Sequence, residues 1–129
     1  MKSILRLVMS PENILSYAIG FVVVWFGLHE MFNPQDWVTF APPFLGDGAL
    51  ANNLVVLHGI ILTSCGILLF INSYRHVVSI ILSLVFIEII LTLVTQTGLS
   101  DIAVRDIGLF GMAISLFFVV FERRKVLPK

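Results

Sequence analysis

Residues 77–94 read VVSIILSLVFIEIILTLV and carry one charge, Glu88. The run contains no glycine or proline, and its only other polar residues are Ser79, Ser83 and Thr92. As a helix it extends about 27 Å at 1.5 Å per residue, close to the ~30 Å of a bilayer's hydrocarbon core. A helix apolar nearly all round is either buried in a large protein or surrounded by lipid. With 129 residues in the chain, no large soluble core is available.

Working outward, the same character returns in Ile14–Phe32, in Leu50–Ile71 and in a last block ending at Phe121. Hydrophobic residues make up 58% of the chain and charged residues 12%, against about 25% charged in a soluble domain. The fold class is therefore all-α: a four-helix transmembrane bundle in a single domain over residues 1–129. Its helices are expected at about 11–32, 50–72, 77–95 and 101–121. Zero formal net charge points to no nucleic-acid partner. Cys65 is the only cysteine, so an intrachain disulfide or redox dithiol is excluded.

The basic residues orient the chain. Lys2 and Arg6 precede the first block, Arg75 separates the second from the third, and Arg123, Arg124, Lys125 and Lys129 follow the fourth. Four crossings put all of these on one side. The other side holds Arg105 against Asp36, Asp47, Asp101 and Asp106. By the positive-inside rule both termini are expected to be cytoplasmic. No small residues follow the first block at His29-Glu30-Met31-Phe32-Asn33, so it reads as a retained span rather than a cleaved signal peptide.

Local signals set the helix ends. Residues 1–9 mix Lys2 and Arg6 with Ile4, Leu5, Leu7 and Val8, the pattern of a segment lying along the inner interface. Ser10-Pro11-Glu12 is a cap, a first-turn proline and a dipole-compatible acid. Asn33-Pro34 repeats the signal, with a short interfacial helix expected over 35–41. Trp37, Phe40 and Phe44 suit headgroup depth. Pro42-Pro43 ends that helix, and Gly46-Asp47-Gly48 makes a turn. The loop is either a lid or a connector resting on the membrane. Asn72–His76 is a tight inner turn, which makes the second and third helices antiparallel neighbours. His76 in that turn is expected to be solvated.

The fourth helix needs an argument. Ile107–Phe121 alone spans about 22 Å, too short to cross. It must begin near Asp101, capped by Ser100 or Asp101, which draws Arg105 and Asp106 into the outer boundary of the bilayer. Small residues mark expected packing faces: Gly20 with Gly27, Gly59 with Gly66, and a stripe of Gly108, Gly111 or Met112, and Ser115.

Placed by depth, the ionisable residues converge. His29 and Glu30 fall at the outer end of helix one, His58 two turns into helix two, Glu88 two turns from the outer end of helix three, and Arg105 with Asp106 at the start of helix four. Such residues are costly in lipid and normally face a bundle interior or a wet cavity. Glu88 requires a partner, with Arg105, His58 or a ligand as candidates. It reads equally as a proton or ligand site and as a buried Glu88–Arg105 tie between helices. Arg105 either pairs with Asp101 on the surface or turns inward to an anion, Glu30 or Glu88; the inward reading is preferred. His29 and Glu30 are adjacent and point about 100° apart. A metal held by His29 and His58 lacks a recognised spacing, so no metal is assigned. A hydrogen-bonding or quinone-contacting histidine is preferred. No nucleotide-binding, haem-attachment or hydrolase motif is present.

Three stretches carry a family likeness: Gly20–Trp37 (GFVVVWFGLHEMFNPQDW), His58-Gly59 through Gly66–Leu69 with Arg75 closing the turn, and Val104–Leu109 (VRDIGL). In this order they resemble the DoxX-like small integral membrane proteins. The resemblance implies a four-helix bundle of the inner (cytoplasmic) membrane, multi-pass. It also implies association with membrane redox systems such as thiosulfate–quinone oxidoreductase. The chain lacks the cysteine pairs of thiol-redox membrane bundles. The expected function is an accessory subunit beside a redox partner protein, not an enzyme acting alone. It would hold a quinone-size or other small ligand among His29, Glu30, His58, Glu88, Arg105 and Asp106, with quinone as the candidate cofactor. The alternatives are a non-catalytic assembly protein and, third, an oligomeric transporter. The third ranks last because no polar path continues through the inner half.

Overall fold

The computed structural model describes residues 10–46 and 48–126. The expected interfacial segment 1–9, Asp47 and Lys129 lie outside them. Four long helices form the bundle: α1 (Pro11–Phe32), α2 (Ala49–Phe70), α3 (Arg75–Thr97) and α4 (Asp101–Val126). All four are long and apolar enough to cross a membrane, and no strand occurs among the described residues. The chain is thus built as a multi-pass membrane protein.

Start signals act where the sequence places them. Ser10 Oγ accepts from the Asn13 amide at 3.3 Å, with Pro11 in the first turn. Ser100 Oγ accepts from the Ala103 amide at 3.3 Å and caps α4. The helix ends differ from expectation in polar segments. α3 runs on to Thr97, and the Thr95 and Thr97 hydroxyls donate to the carbonyls of Thr92 and Leu93 (2.9 and 3.0 Å). α4 continues past Phe121 to Val126, because Arg123, Arg124 and Lys125 complement the negative end of the helix dipole. The turn before α3 is tight enough to place Asn72 and Tyr74 in the left-handed region (φ 57° and 51°).

Packing divides the bundle into two pairs. α1 lies closely on α2 and α3 on α4, while the seams between the pairs are sparse. Glycine creates the first pair. A Cβ on Gly59 would sit 2.6 Å from the Gly27 carbonyl oxygen, and one on Gly66 would sit 2.8 Å from that of Gly20. The two backbones touch, which only residues without side chains permit in lipid. Between the pairs lies one apolar core that includes Ile19, Val23, Leu69, Leu82 and Leu116. The third glycine stripe behaves otherwise. A Cβ added to Gly108 or Gly111 would meet nothing within 4 Å, and the Ser115 hydroxyl turns back to the Gly111 carbonyl at 2.7 Å. That face of α4 packs against no helix of its own bundle.

The described residues between α1 and α2 form a chain of short turns. These are a helical turn at Pro34–Trp37, a 3₁₀ turn at Val38–Phe40 and another at Pro43–Leu45. Val38 is buried against Ala51 and Val55 of α2. Gln96 Nε2 of α3 donates to the Ala41 carbonyl at 2.8 Å, which fastens the loop to the second pair.

Candidate functional site

Under this loop, between the two helix pairs, is a cavity of about 370 Å³. Its walls are mostly apolar, with the aromatic rings of Phe26, Trp37, Phe40 and Phe86 among them. Every span adds a polar group: Glu30 from α1, His58 from α2, Glu88 and Thr92 from α3, Arg105 and Asp106 from α4. Helical spacing explains the selection. Val22, Val23, Phe26 and Glu30 recur on one face of α1, and Ile102, Arg105, Asp106 and Leu109 on one face of α4.

Glu30 is buried, and its Oε2 lies 2.6 Å from His58 Nδ1. Both residues belong to the glycine-seamed pair, so the dyad is fixed by the backbone contact at Gly27 and Gly59. With Glu30 ionised, Nδ1 carries the proton toward the carboxylate, and Nε2 is buried with no protein partner. Trp37 stands edge-on to Phe26, with ring centroids 5.6 Å apart, and its indole N–H is likewise buried and unpartnered. On α4, Asp106 is buried and accepts from Arg105 Nε at 2.8 Å. The Arg105 guanidinium lies over the Phe26 ring, 4.5 Å from its centroid. Arg105 pairs with neither Asp101, Glu30 nor Glu88.

Glu88 stands apart. It lines the cavity yet is exposed in the isolated bundle, and it accepts one hydrogen bond, from Thr92 Oγ1 at 3.3 Å. The buried tie between Glu88 and Arg105 does not form. Leu54, Phe40 and Arg105 also line the cavity and are exposed, so the space reaches the bundle surface. His29 does not line it. Its ring is exposed and lies about 6 Å from the rings of Trp25 and Trp37 (6.2 and 6.3 Å). His29 and Glu30 diverge around the helix, as adjacent residues must. Among the described residues no group of three His, Cys, Asp or Glu side chains is placed to hold a metal ion.

A second polar cluster lies at the opposite end of the bundle, where the sequence shows only local signals. Glu12, a dipole-compatible acid by its position, is buried. It accepts from Arg75 Nη1 at 2.7 Å and from Arg123 Nη1 at 2.8 Å. Arg75 is buried too, and donates further to Asn13 (2.5 Å) and to Asn72. One carboxylate thus joins α1 to the start of α3 and the end of α4. The topology holds the clue, since four crossings bring residues 12, 75 and 123 to one end. His76, expected in solvent, is half-buried, with Nε2 3.4 Å from Arg124 Nη1.

No family model, no curated protein and no solved structure matches this chain. Its functional reading therefore starts from the cavity.

Proposed function

We propose that this protein is a small membrane subunit that takes a lipid-soluble ligand of quinone-headgroup size into the cavity between its helix pairs. The observation that carries this reading is the cavity: about 370 Å³, within the usual range of small-molecule sites. Such sites are apolar and aromatic, with a few convergent polar groups. Phe26, Trp37, Phe40 and Phe86 give the cavity an aromatic lining suited to a flat ring. The unpartnered Trp37 indole N–H offers a donor to a ligand carbonyl, and His58 Nε2 accepts from a ligand hydroxyl when the imidazole is neutral or donates to a carbonyl when it is protonated. Ligand carbonyls lose water's hydrogen bonds on leaving the interface and need such replacements.

In this reading the termini are cytoplasmic, as the distribution of Lys and Arg favours, and the cavity lies toward the non-cytoplasmic rim of the inner membrane. The DoxX-like resemblance adds the role of accessory to a membrane redox partner. Binding, not electron transfer, is what the side chains support directly. The test is retention and titration. Protein isolated in native-lipid discs should release a lipid-soluble small molecule on solvent extraction. Duroquinone should quench the fluorescence of Trp37 in a Trp25→Phe background. His58→Ala and Arg105→Ala should weaken duroquinone binding about tenfold, the loss of about one charge-assisted hydrogen bond. Absence of quenching, or binding indifferent to both changes, would reject the assignment.

A second reading, a non-catalytic assembly protein, is favoured by one observation: the open face at Gly108 and Gly111. A partner helix could approach there as closely as α1 approaches α2. Gly108→Leu should then break a stoichiometric complex recovered from native membranes.

A further inference from the structure

The charges around the cavity do not balance. Arg105 and Asp106 neutralise each other through their 2.8 Å contact. Glu30 and His58 together carry a charge of zero if the imidazole is protonated and one negative charge if it is not. Glu88 then remains; its one hydrogen bond comes from the neutral Thr92 hydroxyl, and its charge reaches His58 only beyond ion-pair distance. With its carboxylates ionised, the described cavity wall carries a net negative charge, and Glu88 is the carboxylate that no ion pair engages.

Two further features bear on what would compensate it. Four aromatic side chains, Phe26, Trp37, Phe40 and Phe86, line the wall, and the negative face of a π-system attracts cations. One of these rings, Phe26, already holds a guanidinium at 4.5 Å, so the cavity stabilises a cation against an aromatic wall in the protein itself. Glu88 also lies about 14 Å along α3 from its end at Thr97, at 1.5 Å per residue, within the apolar span where an ionised carboxylate is costly unless paired. It sits where the cavity meets the bundle surface, with Leu54 exposed on the neighbouring helix. A ligand arriving from the bilayer through the sparse seam between α2 and α3 would meet this carboxylate.

We infer that the cavity prefers cationic amphiphiles, small aromatic or alkyl ammonium compounds, with Glu88 as counter-ion and the aromatic wall as the remainder of the cage. This rests on the reading of the cavity as a ligand site and departs from a neutral quinone as its preferred occupant, keeping the flat ring and adding a positive charge. A neutral ring of the same shape would gain the apolar contacts but leave Glu88 unpaired.

Two isosteric probes separate the two claims. Phenyltrimethylammonium and tert-butylbenzene differ by a positively charged nitrogen in place of a carbon. Binding of each to the full-length protein in nanodiscs is measured by equilibrium dialysis and corrected for partition into empty discs. The cation is expected to bind at least about tenfold more tightly. Glu88→Gln should bring the ratio to within about twofold of one, while Glu122→Gln, at the far end of α4, should preserve it. Circular dichroism of Glu88→Gln verifies its fold. Equal binding of the two probes, or a preference that survives Glu88→Gln, overturns the cation assignment and leaves the cavity a ligand site. Failure of both probes to bind overturns the cavity reading and the cation assignment with it.

Discussion

The two ends of the bundle handle buried charge in opposite ways. At the end where α1 begins and α4 finishes, Glu12 meets two guanidinium groups, and Asn13 and Asn72 take up further donors of Arg75. Each buried charge faces a partner from another segment. At the loop end the ionic pairs form within a helix hairpin or within one helix: Glu30 with His58, Arg105 with Asp106. The seam between the helix pairs is left open there, and Glu88 makes no ion pair among the described residues, its charge reaching His58 only at longer range. A cluster whose buried charges are ion-paired across helices ties them together, even though Arg75 Nε finds no acceptor. An unsaturated one beside a cavity has capacity left for a ligand. The contrast separates a structural polar network from a binding one better than burial does, since Glu12 and Glu30 are almost equally buried (8% and 6% exposed).

Mutations can break this contrast. The largest expected effect is at the ion-paired end. Glu12→Ala leaves Arg75 buried without its carboxylate and should cost about 3–5 kcal/mol, as breaking one side of a buried pair does. Unfolding in mixed micelles measures it, and a loss under about 1 kcal/mol would show that the cluster is solvated, as exposed pairs are. Next is the glycine seam. Gly59→Ala directs a methyl at the Gly27 carbonyl, 2.6 Å away, and should cost about 1–3 kcal/mol by overpacking. Glu30→Gln keeps an acceptor for His58 Nδ1 and should cost about 1 kcal/mol, while changing ligand affinity more than stability. The smallest effect reverses sign. Gly108→Ala meets nothing within 4 Å and should stabilise an isolated bundle by about 0.5–1 kcal/mol through helix propensity. In a complex through that face the same change should destabilise, so the sign of its effect sharpens the choice between the two proposed readings.

Much of this arrangement is legible in the sequence. Hydropathy marks the four spans, and capping residues mark the starts at Pro11 and Asp101. Depth along each helix brings Glu30, His58, Glu88, Arg105 and Asp106 to one level. Depth says nothing of azimuth, which is why His29, one residue from Glu30, groups with them by sequence although it faces away. Direction also misleads at Arg105. Charge alone suggests carboxylates on other helices as its partners, whereas the guanidinium lies over Phe26 and holds its own neighbour. The role of Glu12 is hidden because a first-turn acid already has a local rationale, and its partners lie 63 and 111 residues away. The stripe at Gly108 shows the limit of small-residue patterns. They mark where a close neighbour is possible without saying that the neighbour belongs to the same chain.

The order in which these contacts become available follows the direction of synthesis. The first hairpin can leave the insertion machinery with Glu30 and His58 already satisfying each other, because both lie within residues 11–70. Glu12 gains Arg75 only once the third span begins, and Arg123 only when the fourth is nearly finished. The Glu12 carboxylate thus stays incompletely matched until the fourth span has emerged, and its final pairing closes the ring of helices.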